Sequence, residues 1–315
     1  MKSVSRRHFL KTALASGALA GMARLPLIAE TGKATDWVTL GHSGVKVTRL
    51  AFGTGTNNGN VQRSLGQDGF NALVRHAYSS GIRFFESAEA YPGMHEMLGI
   101  ALKGIPRENY RLMTKVETGD GKDPQTKIDD LRRAAQTDYF DIMLLHVQTS
   151  PNWPSETTRW QDVILQAEHK QSVRTHGASV HGLPALRQVP SDKWLQIGMI
   201  RMNHKGVHMD AEGQVWSAIG NVPEVVEHVQ QTKAAGKGVI SMKLIGEGSF
   251  TNRDDRKAAM RFAFRNAGID CATVGYKNTA EIDEAIDNRT LALASERQGI
   301  GNREQGLERP RPRNG

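Results

Sequence analysis

Cysteine is almost absent from this chain, because only Cys271 occurs among its 315 residues. A single thiol excludes an internal disulfide framework, a cysteine-ligated zinc site and an iron–sulfur cluster held by cysteines. No repeat of about 20–50 residues, the period of solenoids and propellers, is present either. Hydrophobic residues make up 38% and charged residues 23% of the chain, which is the composition of a globular protein.

Acidic residues are missing from the N-terminal segment, and this explains most of the net charge of +8. Residues 1–29 carry +5 and the segment from Leu291 to the end carries +2, which leaves about +1 for the body. A nearly neutral body has no basic stripe that could neutralise phosphates. Nucleic-acid binding is therefore disfavoured.

The N-terminal segment resembles a twin-arginine export signal. Ser5-Arg6-Arg7-His8-Phe9-Leu10-Lys11 precedes an apolar run of small residues, Thr12 to Met22. That run is too short and too rich in glycine for a stable membrane span. The resemblance implies the twin-arginine export machinery as a partner, cleavage near Ala29 or Ala34 and a periplasmic location. This route carries folded proteins, which suits an enzyme that acquires its cofactor before export.

The body alternates between strand and helix patterns. Asp36 to Val47 predicts a β-hairpin, and eight apolar runs follow it. These predicted strands are Arg49–Phe52, Arg83–Glu86, Leu112–Val116, Ile142–His146, Val173–Ala178, Leu195–Met202, Val239–Leu244 and Ala272–Val274. The amphipathic stretches between and after them are Gly69–Ser80, Glu96–Lys103, Lys127–Ala135, Trp160–Gln171, Pro223–Ala235, Arg256–Asn266 and Ala280–Leu293. Eight such units predict an α/β fold, a closed (β/α)₈ TIM barrel with an N-terminal β-hairpin.

Three segments follow from this pattern: a signal peptide at 1–34, a barrel at 35–293 and a disordered tail at 294–315. From Ile300 onward the sequence has no periodicity and is rich in Arg, Pro, Gly and Gln. One alternative fold is a Rossmann domain, because the glycine-rich segment Gly53 to Gly59 follows a strand. Its glycine spacing is one residue too long and no helix pattern opens at once, so a loop over a barrel mouth is favoured.

Four chemically complementary side chains occur at the ends of consecutive predicted strands. Glu86 ends the second strand, Tyr91 follows it, Lys115 lies in the third and His146 ends the fourth. In a (β/α)₈ barrel, chemistry occurs at the carboxyl ends of the strands. A tyrosine can deliver a proton if a nearby ammonium lowers its pKa, and a carboxylate can hold that ammonium in place. The histidine can donate a hydrogen bond to a carbonyl oxygen.

The same residues lie in segments that resemble the aldo-keto reductase family. Leu40 to Gly55 resembles the opening segment of the family. Phe84 to Tyr91 is similar to its F-D-T-A-E-x-Y segment. Thr114-Lys115-Val116 and Asp141 to His146 match the segments of its lysine and histidine, and the likeness covers about residues 37–290. It implies a barrel, NADP or NAD as cofactor, a small-molecule carbonyl substrate, and carbonyl–alcohol interconversion with Tyr91, Lys115, His146 and Glu86 as catalytic residues.

The resemblance also implies where a dinucleotide contacts the chain. The corresponding positions are Gly53, Ser179, Lys243, Gly246, Gly248, Gly275, Lys277 and Asn278, with Lys277 as the partner of a 2′-phosphate. Several neighbouring positions depart from the family. Glu86 replaces an aspartate, Val180 an asparagine beside Ser179, Met242 a stacking tyrosine, Lys243 a serine and Met199 a glutamine. Glu281 stands where the family has Gln or Arg, and Ala285 stands where it has Asn.

Two other classes of function stay open on the sequence alone. The departures around the expected cofactor permit a non-catalytic periplasmic binding protein on a degenerate reductase barrel. The second, less favoured class is a His-ligated metal enzyme, because histidines gather near the predicted strand ends and imidazoles are ligands for zinc and copper. These histidines are His146, His176, His181, His204 and His208. No His-x-His or His-Glu-x-x-His pattern occurs, so no metal site is predicted.

Overall fold

The computed structural model describes residues 33–213 and 219–305, with side chains described up to Ala292. The predicted export signal at Arg6 and Arg7 and the cleavage position near Ala29 lie outside the described residues. So does the end of the predicted tail, residues 306–315.

An antiparallel hairpin precedes the barrel and packs against its amino-terminal end. Strand β1 is Trp37–Thr39 and strand β2 is Lys46–Thr48. Gly41 in the hairpin turn has φ +49°, and its backbone lies so close to Gly236 and Lys237 that a Cβ would overlap them. Leu40 and Val47 are fully buried with the side chains of the barrel interior. This end of the barrel is therefore filled, and the opposite end is left for a site.

Eight parallel strands close the barrel in the order of the sequence, with the last strand pairing with the first. They are β3 Leu50–Gly53, β4 Phe84–Glu86, β5 Arg111–Val116, β6 Ile142–Gln148, β7 His176–Val180, β8 Ile197–Arg201, β9 Gly238–Met242 and β10 Cys271–Gly275. Nearly every residue in these strands is buried, as parallel strands covered on both faces require. The predicted fold class, a (β/α)₈ barrel with an N-terminal hairpin, is confirmed.

Helices cover the outside of the barrel. They are α1 Asn60–Arg63, α2 Gly66–Ser79, α3 Met94–Leu102, α4 Pro124–Ala134, α5 Trp153–Glu156, α6 Thr158–His169, α7 Leu183–Leu186, α8 Val222–Ala234, α9 Arg253–Phe262 and α10 Thr279–Gln305. Four of them begin after a side chain that accepts a backbone hydrogen bond: Asp123, Asn221, Asn252 and Asn278. No helix within the described residues is long and apolar enough to cross a membrane.

The last helix differs most from its predicted bounds. Helix α10 continues past the predicted end at Leu293 to Gln305, and so enters the segment predicted as disordered. No proline lies between Thr279 and Pro310, so none interrupts the backbone hydrogen bonds of the helix. The glycine-rich segment after β3 leads only into the four-residue helix α1, so it is a loop at the barrel mouth and not a Rossmann turn.

Candidate active site

Three neighbouring strands bring the predicted catalytic residues together at the carboxyl end of the barrel. Glu86 is the last residue of β4, Lys115 is the next to last of β5, and His146 lies near the end of β6. The loop after β4 carries Tyr91 and is fixed to the next strand, because the Glu89 N–H donates to the Lys115 carbonyl at 2.9 Å. The four side chains converge because parallel strands all end at the same edge.

Lys115 and Glu86 form a buried ion pair beneath this mouth. Lys115 Nζ contacts Glu86 Oε1, and the two residues are 1% and 2% exposed. Lys115 also donates to the Ser87 carbonyl at 3.2 Å. Each charge is expensive to bury alone, so the two residues depend on each other. Glu86, which is one methylene longer than the aspartate that it replaces, is thus in direct contact with Lys115 Nζ.

The Tyr91 ring lies between the lysine and the histidine. Lys115 Nζ is 4.9 Å from the centroid of the ring, and the His146 ring meets it edge-to-face at 5.8 Å between centroids. Gly55, in the loop after β3, is in contact with the phenol: a Cβ at this position would overlap the Tyr91 hydroxyl. The tyrosine is thus held by its own loop, by two functional side chains and by a glycine.

A bulge near the end of β6 sets the position of His146. The register between β6 and β7 shifts between Leu145 and Gln148, and Val147 has φ +55°. The Val147 N–H donates to Ser179 Oγ at 2.9 Å, which satisfies a backbone group that the bulge removes from the sheet. Bulges re-aim side chains next to active sites. His146 Nδ1 is buried without a protein partner, so the ring has an unused hydrogen-bonding atom at the site.

Burial controls the protonation of Tyr91 and His146. Burial raises the pKa of the Tyr91 phenol above its ordinary value, and the Glu247 carboxylate raises it further. The pKa of Tyr91 is thus raised on balance, although Lys115 Nζ lies 4.9 Å from the ring centroid, because loss of hydration on burial is the largest cause of the shift. The expectation that Lys115 by itself lowers this pKa stays a prediction. Burial, with Lys115 and Lys243 nearby, lowers the pKa of His146 well below its ordinary value. At neutral pH the phenol carries its proton and the imidazole is neutral.

The pKa of Lys115 is also lowered, first by complete burial and then by the positive charge of Lys243. Its carboxylate partner Glu86 opposes that shift, since an opposite charge in contact favours the ammonium form.

A cavity of about 700 Å³ opens above these residues and runs to the start of α10. Glu86 and Tyr91 line its near end. Its middle is lined by Met199, Met242 and Lys243, and its far end by Lys277 and Glu281. The size is that of a small-molecule or cofactor site. Tyr91 marks the near end of this cavity, and Lys277 marks its far end.

Most of the positions predicted to contact a dinucleotide line this cavity. They are Gly53, Lys243, Gly248, Gly275, Lys277 and Asn278. Gly53 and Gly275 also meet packing needs: a Cβ would overlap Thr273 at the first and Thr56 at the second. Their roles toward a cofactor stay predictions.

Two predicted contacts lie elsewhere. Ser179 is fully buried, and its hydroxyl oxygen accepts the hydrogen bond from Val147. Gly246 is buried with φ +55°, and a Cβ there would overlap Ser249, so it is required by the turn after β9. Neither is among the described residues that line the cavity.

Several cavity residues were not predicted from the sequence. Glu247, at φ +53°, was not predicted; its Oε1 forms an ion pair at 2.5 Å with Nζ of the predicted Lys243, which has φ +58°. Arg256, Glu284 and Asn288 line the far end. The spacing of Glu281, Glu284 and Asn288 at three and four residues was a usable signal, because such residues share a helix face.

The five histidines considered as metal ligands are distributed over different contacts. His176 stacks on Trp194 and its Nδ1 is 2.6 Å from Glu168 Oε1. His204 packs against Phe250, and His208 lies 3.8 Å from a Glu247 oxygen. His181 lies near His146, and burial, with Arg201 and His146 nearby, lowers the pKa of His181 well below its ordinary value. Within residues 33–213 and 219–305 no three His, Cys, Asp or Glu side chains are arranged to hold a metal ion.

The fold and this site define a class: a (β/α)₈ barrel with a tyrosine, a lysine–carboxylate pair and a histidine around a cavity at its carboxyl end. The sequence profile of the aldo/keto reductase family matches residues 49–295. The chain belongs to this family.

Individual relatives are distant. The chain is 38% identical to "Probable aldo-keto reductase 1" of Glycine max over 131 residues, which cover 36% of this chain and 37% of that protein. It is 34% identical to L-galactose dehydrogenase of Arabidopsis thaliana over 117 residues, 34% of this chain and 36% of the relative. These alignments therefore span less than two-fifths of either relative.

Solved structures agree in fold. An aldo-keto reductase from Bacillus halodurans, in its holo form, superposes with a TM-score of 0.63 at 15% identity, covering 82% of this chain and 95% of that one. At the other end of the sequence, residues 3–23 match the twin-arginine translocation signal. This signal indicates export by the twin-arginine pathway, and hence the periplasm for a bacterial protein.

Proposed function

We propose that this protein is an NAD(P)-dependent oxidoreductase that interconverts an aldehyde or ketone and an alcohol, with Tyr91 as the proton donor. One observation carries the proposal. Tyr91 lines a cavity at the carboxyl end of the barrel, directly over the buried Lys115–Glu86 pair and edge-to-face with His146. A binding protein would have no need to bury an ion pair beneath a phenol.

Each side chain has a separate task in carbonyl reduction. The Tyr91 hydroxyl donates its proton to the carbonyl oxygen as negative charge develops there. The Lys115 ammonium stabilises the phenolate that remains, and Glu86 keeps that ammonium in place. Neutral His146 donates a hydrogen bond to the same carbonyl oxygen and orients it. Because burial raises the pKa of Tyr91, the phenol carries the proton that reduction of a carbonyl requires.

The cavity residues fit a dinucleotide. The cavity continues from Tyr91 to α10, the backbone is accessible at Gly248 and Gly275, and Asn288 offers a buried amide oxygen without a partner. When bound, a nicotinamide dinucleotide supplies the hydride. Met242 and Met199 would form the floor beneath it, and Lys243, which lines the middle of the cavity, would offer a cation to its phosphates.

The experiment that tests this proposal is Tyr91→Phe, assayed by single-turnover hydride transfer against a panel of aldehydes and ketones. General acid catalysis contributes about 10²–10⁴-fold, so the rate should fall by that factor. Dinucleotide affinity, measured by calorimetry on the same preparation, should change little. Tyr139→Phe serves as the matched control, because Tyr139 is half-buried against Arg107 and Arg174 and is not among the described residues that line the cavity.

Two results would contradict the proposal. Equal rates for Tyr91→Phe and wild type on every reacting carbonyl would remove the tyrosine from the chemistry. Absence of dinucleotide binding by the wild type would favour the alternative of a binding protein, which the replacement of the stacking tyrosine by Met242 and the engaged hydroxyl of Ser179 support.

A further inference from the structure

The far end of the cavity is the place where the two nicotinamide dinucleotides differ. If the reactive ring lies at Tyr91, as the proposed function requires, the other end of an extended dinucleotide reaches the start of α10, and its adenosine ribose lies near Lys277. NADP carries a phosphate on that ribose and NAD carries a hydroxyl. A cation is needed for the phosphate, whereas a carboxylate accepts a hydrogen bond from the hydroxyl.

The N-terminus of α10 is already neutralised by a carboxylate of the chain. Asn278 Oδ1 accepts the Glu281 N–H at 3.0 Å, and Glu281 Oε2 accepts the Lys277 N–H at 2.9 Å. Glu281 Oε1 is 3.3 Å from Lys277 Nζ. Free backbone N–H groups at a helix N-terminus attract phosphate. Here the position is taken by Glu281, which would repel one.

The second cation of the far end is also committed. Arg256 Nε and Nη2 donate to the two carboxylate oxygens of Glu284 at 2.7 and 2.9 Å, and Nη1 donates to the carbonyls of Phe250 and Thr251 at 3.1 and 2.7 Å. A phosphate is bound by the same bidentate edge of a guanidinium that Glu284 occupies. Lys277 and Arg256 together balance Glu281 and Glu284, so these four residues carry no net positive charge.

An unpartnered group beside them indicates that the far end is built to receive a polar ligand. Asn288 is 3% exposed and lines the cavity. Its Nδ2 donates to Glu284 at 3.3 Å, which fixes the direction of the amide, and its Oδ1 has no partner. Leaving a buried acceptor without a donor is unfavourable, and a ligand N–H, such as the amino group of adenine, would satisfy it.

We infer that this protein binds NAD(H) in preference to NADP(H), with Glu281 as the residue that accepts the free ribose hydroxyl and excludes the 2′-phosphate. The inference rests on the proposed function and goes against the role in 2′-phosphate binding that the family resemblance implies for Lys277.

The test measures the dissociation constants of NADH and NADPH by calorimetry on the purified protein at low and moderate salt. NADH should bind at least about tenfold more tightly, which corresponds to about 1.4 kcal/mol. Glu281→Gln keeps the size and the capping ability of the side chain and removes its charge. It should strengthen NADPH binding several-fold and leave NADH nearly unchanged or weaker. Glu227→Gln, on the exposed face of α8, is the matched control.

A third probe tests the adenine contact. A dinucleotide with hypoxanthine in place of adenine presents a carbonyl instead of the amino group, so it should bind less tightly than NADH to the wild type. The difference should disappear in Asn288→Leu, while a purely structural role of Asn288 would leave the difference intact.

The outcomes separate this inference from the proposed function. Equal or tighter binding of NADPH by the wild type, or a ratio that Glu281→Gln leaves unchanged, overturns the inference and leaves the proposed function standing. Failure of both dinucleotides to bind overturns both.

Discussion

The two ends of the cavity are built from different kinds of structure. At the near end, Glu86 and Lys115 belong to barrel strands and are almost completely buried. At the far end, the charged side chains come from α9, α10 and the residues before α10, and Lys277 has 66% of its side chain exposed. The near end matches the family's sequence pattern in all four positions apart from one methylene, and the far end departs from it.

Burial explains this difference. A charge inside a barrel must keep its partner, because losing one member leaves the other desolvated, and such a loss costs about 3–5 kcal/mol. An exposed ion pair is worth about 0–1 kcal/mol, so its members can be exchanged at little cost to the fold. Substitutions at the near end therefore destabilise the fold, whereas the exposed charged residues at the far end can change to suit one cofactor or the other.

The largest effect is expected from Lys115→Met. It removes the charge that stabilises the phenolate and leaves Glu86 buried without a partner. Turnover should fall at least as far as in Tyr91→Phe, by about 10²–10⁴-fold, and the free energy of unfolding should fall by about 3–5 kcal/mol. Denaturant titration and single-turnover assays measure the two effects.

The double variant Lys115→Met with Glu86→Gln separates stability from catalysis. It should regain much of the stability and none of the activity. If Lys115→Met unfolds no more readily than the exposed Lys257→Met, the pair is not the buried unit described above.

Sequence reasoning located the near end because its signals are strand-based. Apolar runs fix where β4, β5 and β6 end, and the barrel then brings Glu86, Lys115 and His146 together. It named Lys277 and Asn278 at the far end but missed the pairing of charges there, because helix capping and side-chain contacts decide that pairing. Glu281 accepts the Lys277 N–H at the N-terminus of α10, and Glu284 pairs with Arg256. The bulge at Val147 could not be seen either, since Val is an ordinary strand residue and its positive φ depends on the hydroxyl of Ser179.

A smaller loss is expected from Gly55→Ala, which acts at the near end alone. The added methyl overlaps the Tyr91 hydroxyl, so the phenol must move. Displacement of a catalytic group by about 1 Å costs about 10²-fold in rate. Single-turnover rates should fall by about that factor while the affinity for NADH stays within twofold or so of wild type. Gly119→Ala, where a Cβ meets nothing within 4 Å, should alter neither quantity. A fall in affinity without a fall in rate would contradict the assignment of Gly55 to the near end.

The charge that links the two ends is Glu247, and Glu247→Gln should have a moderate effect. Its carboxylate raises the pKa of Tyr91, so removing it should lower that pKa and move phenol ionisation to lower pH. Carbonyl reduction needs the neutral phenol, so the alkaline limb of the rate profile should shift in the same direction. The variant also frees Lys243, so NADH should bind a few-fold more tightly. A pH titration of phenolate absorbance measures the shift, with Tyr91→Phe as the blank and Glu227→Gln as the control. If the titration curve of Glu247→Gln coincides with that of the wild type, Glu247 does not act on Tyr91.

The smallest effect is expected from Lys277→Met at the far end. Its ammonium is exposed and 3.3 Å from Glu281, and surface pairs of this kind contribute about 0–1 kcal/mol. NADH and NADPH affinities should each change by less than about fivefold, and stability should match that of Lys122→Met, which breaks a similar exposed pair with Asp120 away from the cavity. The measurement is calorimetric titration of both dinucleotides. A selective loss of NADPH affinity by tenfold or more would mean that Lys277 binds the 2′-phosphate despite Glu281. The far end would then select NADP(H) and not NAD(H), while the near end would keep the same role.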